Sequence, residues 1–80
     1  MCGIIGINSN KPVSSTIITS LKKLEYRGYD SAGIATLSNG LINEIKSEGR
    51  VDNLEKNSLV QSMEGTIGIG HVRWATHGSP

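Results

Sequence analysis

An α+β fold is predicted for this chain by two observations. Its apolar runs read in the order strand, helix, strand, strand, helix, strand, and an Asn39–Gly40 step joins the middle two strands tightly enough to make them antiparallel. Gly3 to Ile7 form the first short strand, and "NSNKP" is the loop that ends it. From Val13 the apolar residues Ile17, Ile18, Leu21 and Leu24 recur at helical spacing, with Ser14 and Ser15 offered as caps and Gly28 as the stop. "SAGIATL" and "LINEIKS" are the paired strands; Asn39 and Gly40 between them tolerate the positive φ angles of a tight hairpin turn. The stretch "DNLEKNSLVQSM" predicts a second helix with Leu54, Leu59, Val60 and Met63 on one face, opened by a capping-box arrangement of Asp52 and Glu55. "TIGIGHV" is the last strand, and "RWATHGSP" is expected to leave it as a polar loop.

Composition removes several classes of function. With 36% hydrophobic and 19% charged residues and no phenylalanine, 80 residues describe one soluble globular unit. No stretch approaches a membrane span, and the start of the chain lacks the basic, then continuously apolar, pattern of a signal peptide, so a cytoplasmic location is expected. Lys and Arg outnumber Asp and Glu by only 8 to 7, which gives no basic surface for nucleic acid. Two helices and four short strands leave the sheet without full cover on either face, and the densest chemistry falls in the final loop. A truncated domain is the expectation.

The single cysteine, Cys2, cannot form an internal disulfide, which leaves a buried small hydrophobe, a metal ligand or a nucleophile. Its position favours the last. Removal of Met1, expected before a residue as small as cysteine, gives Cys2 a free α-amine with a pKa of about 7.7 to 8.0, able to take the thiol proton without a histidine. Gly3 and Gly6 would let a substrate or another backbone approach closely. A metal module built on Cys2, His71 and His77 is the rival; the chain has no short-range ligand pair, and a closed zinc site needs four ligands.

"MCGIIG", "LEYRGYDSAGIA" and "IGHVRWATHG" occur here in that order. Together they resemble, over essentially the whole chain, the glutaminase domain of the glutamine:fructose-6-phosphate aminotransferase family, the glucosamine-6-phosphate synthases. The middle block sets this family apart from other class II glutamine amidotransferases, and Val72, where the family commonly has threonine, is the one departure noted. The resemblance implies an N-terminal-nucleophile hydrolase αββα sandwich, of which residues 1–80 are the N-terminal portion, with the sugar-isomerase domains absent. It implies that Cys2 hydrolyses the glutamine side-chain amide through a thioester. The ammonia would serve glucosamine 6-phosphate synthesis from fructose 6-phosphate, handled by the absent domains.

The same resemblance assigns Arg73 to the glutamine α-carboxylate, which a guanidinium fork suits. It assigns Thr76 and His77 to glutamine contacts, Trp74 to shielding the site, and Arg27 to the neighbourhood of the nucleophile, where a cation favours thiolate. It implies no cofactor and no metal, no nucleic-acid or membrane partner, and a homodimer for the full-length enzymes. The family's oxyanion-hole residues and the aspartate that holds the glutamine α-amine lie downstream of "RWATHG". The alternative is therefore an inactive fragment or remnant, because one missing oxyanion donor costs about 10² to 10³ in rate.

Overall fold

A computed structural model describes residues 2–27 and 30–74, with the side chain of Arg27 outside the described set. Four strands form one wholly antiparallel sheet in the order β1-β4-β2-β3: β1 (Gly3–Asn8), β2 (Ser31–Ser38), β3 (Leu41–Glu48) and β4 (Ile67–Arg73). Helix α1 (Ser14–Leu24), a 3-10 turn (Glu25–Arg27), α2 (Val51–Glu55) and α3 (Ser58–Gln61) complete the described elements. The β2–β3 hairpin turns as expected, with φ of 53° at Asn39 and 76° at Gly40.

The sheet has two different faces. Helix α1 lies across β4 and β1, α2 lies against β3 and β2, and all helices occupy the same side. Their apolar stripes meet the sheet in one core of Val13, Ile17, Ile18 and Leu21 from the first helical segment, Val51, Leu54, Val60 and Met63 from the second, and Ala32, Ile34 and Val72 from the strands. A fully buried side chain of this kind contributes about 1.5–3 kcal/mol. The approach is close because two glycines of β4 face the helix. A Cβ on Gly70 would come within 2.5 Å of Ile17 Cγ2, and one on Gly68 within 2.8 Å of Ile17 Cδ1. The expectation that neither face is well covered is therefore corrected: one face carries a sealed core.

No described helix covers the opposite face. Ile4, Leu37, Ile42, Ile67 and Ile69 are all exposed, Ile69 by 58%. Leu37 pairs in register with both Ile42 and Ile67, and Ala35 pairs with Ile69, so these side chains form a continuous apolar field across the strands.

Several local expectations are also corrected. Neither Ser14 nor Ser15 caps α1; Val13 holds the N-cap position without a side-chain bond, and Ser14 is buried in the first turn. The single helix expected over "DNLEKNSLVQSM" is two. Asn57 takes an extended backbone, and its Oδ1 accepts from the Leu59 N–H at 2.9 Å, which caps α3 and breaks the run. Asp52 caps nothing and sits in the first turn of α2. The opening of α2 is met from a distance by Glu25, whose Oε2 accepts from the Val51 N–H at 3.3 Å and pairs with Arg50 Nε at 3.3 Å. Gly3 faces the helical layer, where a Cβ would stand 3.2 Å from Leu24 Cβ, so helix packing and not substrate access explains it.

Candidate active site

The ends of three strands converge at one edge of the sheet. Gly3 pairs with Val72, so the register continued by one residue sets Cys2 beside Arg73. On the other side of β4, Ser31 pairs with Arg73, and Glu48 pairs with Ser31. The Asp30 N–H donates to the Arg73 carbonyl oxygen at 3.2 Å, and the Gly49 N–H donates to the Asp30 carbonyl oxygen at 2.7 Å, which fastens this end. Arg73 is thereby the last residue of β4, correcting its placement in a polar loop: pairing with Ser31 carries the strand past the end of its apolar run.

Pleat alternation puts Arg73 on the same face as Ile69 and His71, and Cys2 on the same face as Ile4, which is the open face in both cases. Cys2 is exposed, Arg73 half-buried and Trp74 41% exposed. The 3-10 turn that contains Arg27 packs against β4. Thr76 and His77 lie outside the described residues, as does the side chain of Arg27.

Between β4 and β3 the open face sinks into a groove of about 410 Å³ whose walls include Ser31, Lys46, Glu48, His71 and Arg73. His71 is half-buried there. Burial holds its pKa below the ordinary histidine value; the charges of Lys46 and Arg73 add to this and Glu44 opposes it. Its ring is therefore neutral at neutral pH. A larger groove of about 530 Å³, lined by Ser14, Ile18, Lys56 and Val60 among others, belongs to the helical layer and is remote from Cys2 and Arg73. Among the described residues no three His, Cys, Asp or Glu side chains gather as a metal site requires, and no helix is long and apolar enough to cross a membrane.

Sequence reasoning weighed His71 only as a metal ligand and passed over Ser31. Both lie inside the motif blocks quoted above, and the strand register is what brings them to the site.

The backbone register thus places Cys2 and Arg73 side by side at one edge of the sheet. Curated relatives match the chain over its whole length. The glutamine–fructose-6-phosphate aminotransferase (isomerizing) of Brucella abortus biovar 1 (strain 9-941) is 58% identical over 80 residues, all of this chain and 13% of that protein. The chain is homologous to the glutamine–fructose-6-phosphate aminotransferases. The enzyme of that name from Rhizobium meliloti (strain 1021) is 54% identical over the same span, again 13% of its length. The chain therefore spans about one eighth of the curated relatives it matches. No family model matches it.

Solved structures agree on the fold. The allosteric regulatory enzyme of purine biosynthesis superposes with a TM-score of 0.84 at 26% identity, covering 95% of this chain and 16% of that one. Glutamine phosphoribosylpyrophosphate amidotransferase from B. subtilis, complexed with ADP and GMP, gives 0.83 at 26% identity, covering 96% and 17%. The aminotransferase-like chain thus has the fold of an N-terminal-nucleophile glutamine amidotransferase domain, present here in part, and its single four-stranded sheet with helices on one side is an incomplete α+β fold.

Proposed function

We propose that residues 1–80 are the nucleophile-bearing N-terminal portion of a class II glutaminase domain that hydrolyses glutamine to glutamate and ammonia. The observation that carries this reading is the placement of Cys2 beside Arg73 on the open sheet face. Adjacent strands lie about 4.8 Å apart, close to the distance from the α-carboxylate to the amide carbon of glutamine. A glutamine gripped at its carboxylate by Arg73 would lie across the β1–β4 pair with its amide toward Cys2.

In the proposed reaction Met1 has been removed and the Cys2 α-amine takes the thiol proton. The thiolate adds to the amide carbon, forming a C–S bond. The α-ammonium returns the proton to the departing nitrogen as the C–N bond breaks and ammonia leaves. Water then adds to the thioester, releasing glutamate and restoring the thiol. Trp74 shields the bound amide, Thr76 and His77 complete the grip on glutamine, and Arg27 favours the thiolate. In a full-length aminotransferase of this family, sugar-isomerase domains would use the ammonia to convert fructose 6-phosphate to glucosamine 6-phosphate. Such an enzyme would act in the cytoplasm as a homodimer.

A second reading, that these 80 residues alone do not catalyse, is favoured by the bare face: Ile4, Ile67 and Ile69 surround the site side of the sheet without cover. One pair of measurements separates the two. The completed protein is made by placing this sequence in the Brucella abortus relative instead of the segment it matches, and ammonia release from glutamine is compared with that of the 80-residue chain. We expect Cys2→Ala, or an uncleaved tag ahead of Met1, to abolish hydrolysis by the completed protein, and the short chain to match its own Cys2→Ala control. Hydrolysis at full rate by the tagged protein would sink the α-amine mechanism; Cys2-dependent activity in the short chain would sink the second reading.

A further inference from the structure

The open face of β4 carries Ile69, His71 and Arg73 in succession, and His71 is the polar one to which the proposed reaction gives no task. Register sets it between Ile4 of β1 and Gly33 of β2. Its ring lies on the β2 side, away from Cys2. A Cβ on Gly33 would collide with His71 Nε2 and stand 3.1 and 3.2 Å from Cδ2 and Cε1. Gly33 is buried although it belongs to the open face, because the imidazole covers it. The ring thus floors the groove on whose wall Arg73 stands, and Glu48 stands on the same groove.

We infer that His71 is a positioning residue for Arg73, seated by Gly33, and that its ring keeps the guanidinium from sinking into the groove toward Glu48. This rests on the reading that Arg73 binds the glutamine carboxylate. The row Glu48–Ser31–Arg73 spans two strand spacings, roughly 10 Å between backbones, which an arginine and a glutamate bridge when nothing fills the space beside them. Guanidinium and carboxylate make strong paired hydrogen bonds, so a guanidinium drawn onto Glu48 is lost to substrate. The neutral imidazole fills the floor without adding a third cation to Lys46 and Arg73.

The test uses the completed protein and steady-state kinetics of ammonia release. His71→Ala is expected to raise KM for glutamine about tenfold while kcat stays within about threefold, the pattern of lost substrate grip. Adding Glu48→Gln is expected to bring KM back to within about threefold of the parent, a rescue that a role in folding alone would not produce. His71→Asn, smaller than the parent but neutral and polar, should raise KM about threefold and carries the test if His71→Ala does not fold. An unchanged KM in the His71 variants, a fall in kcat at constant KM, or no rescue by Glu48→Gln overturns the positioning role and leaves the glutaminase reading standing. A parent that does not hydrolyse glutamine, or a Cys2→Ala control that does, overturns both.

Discussion

The two faces of the sheet carry similar side chains in opposite circumstances. Ile17 of α1 is fully buried against one face, while Ile69 of β4 is 58% exposed on the other. In β4 the inversion is sharpest: Gly68 and Gly70 point into the core and Ile67 and Ile69 point out of it. A strand whose larger apolar residues face outward belongs to a sheet made to be covered twice. The difference teaches that the helical side is a finished half of a core, and that the side bearing Cys2 and Arg73 awaits its cover.

The largest expected effect sets isoleucine against isoleucine. Ile17→Ala should cost about 2–5 kcal/mol, the range for emptying a tightly packed aliphatic site, whereas Ile69→Ala in the same 80 residues should stay within about 0.5 kcal/mol, as at other surface positions. Urea denaturation of both variants checks this; equal losses would mean that the outer face is already covered, as by self-association.

Gly70→Ala sharpens the same contrast from the other partner. Its new Cβ meets Ile17 Cγ2 and Leu21, so overpacking should cost about 1–3 kcal/mol. The cost should shrink when Ile17→Ala is added, because that change removes the Cγ2 that the new Cβ meets. Additive losses in the double variant would place the strain elsewhere.

The smallest effect belongs to the open face and depends on pH. His71 is held below the ordinary histidine value of about 6.5 chiefly by burial. The unfolded chain therefore binds a proton there at a higher pH than the folded chain does. Stability from this group is complete above about pH 6.5, falls as pH drops toward the lowered folded value, and changes no further below it. Melting curves at pH 7.5 and 5.5 should show a smaller drop for His71→Asn than for the parent; an equal drop would mean that the ring titrates as if in water.

Much of this was legible in the residues, and the failures have physical causes. Two apolar runs and the Asn39–Gly40 step between them mark the hairpin, and all four strands lie where the apolar runs put them. Cys2 and Arg73 were legible as candidates through their motifs. Their adjacency was not, because it depends on β1 pairing with a strand more than sixty positions away. The split between α2 and α3 hinges on one side-chain bond from Asn57, a residue the apolar spacing passes over. Arg73 lies past the apolar run yet inside β4, because strand pairing, unlike apolar periodicity, does not end with the apolar residues. The seat of His71 is not legible in the sequence, because it is the absence of a side chain at Gly33, which no pattern of polarity records.

The strand order has a consequence for synthesis. β1 sits at a sheet edge and pairs with β4 alone among the described strands, so Gly3–Asn8 must wait for residues up to Arg73 before they can dock. At about 5–20 residues per second, the ribosome leaves that end of the chain unfolded for several seconds. During this interval Cys2 stays outside any sheet and accessible. A topology with β1 paired to its sequence neighbour would close that interval early; this one leaves Cys2 and the strand after it out of the sheet until β4 has been made.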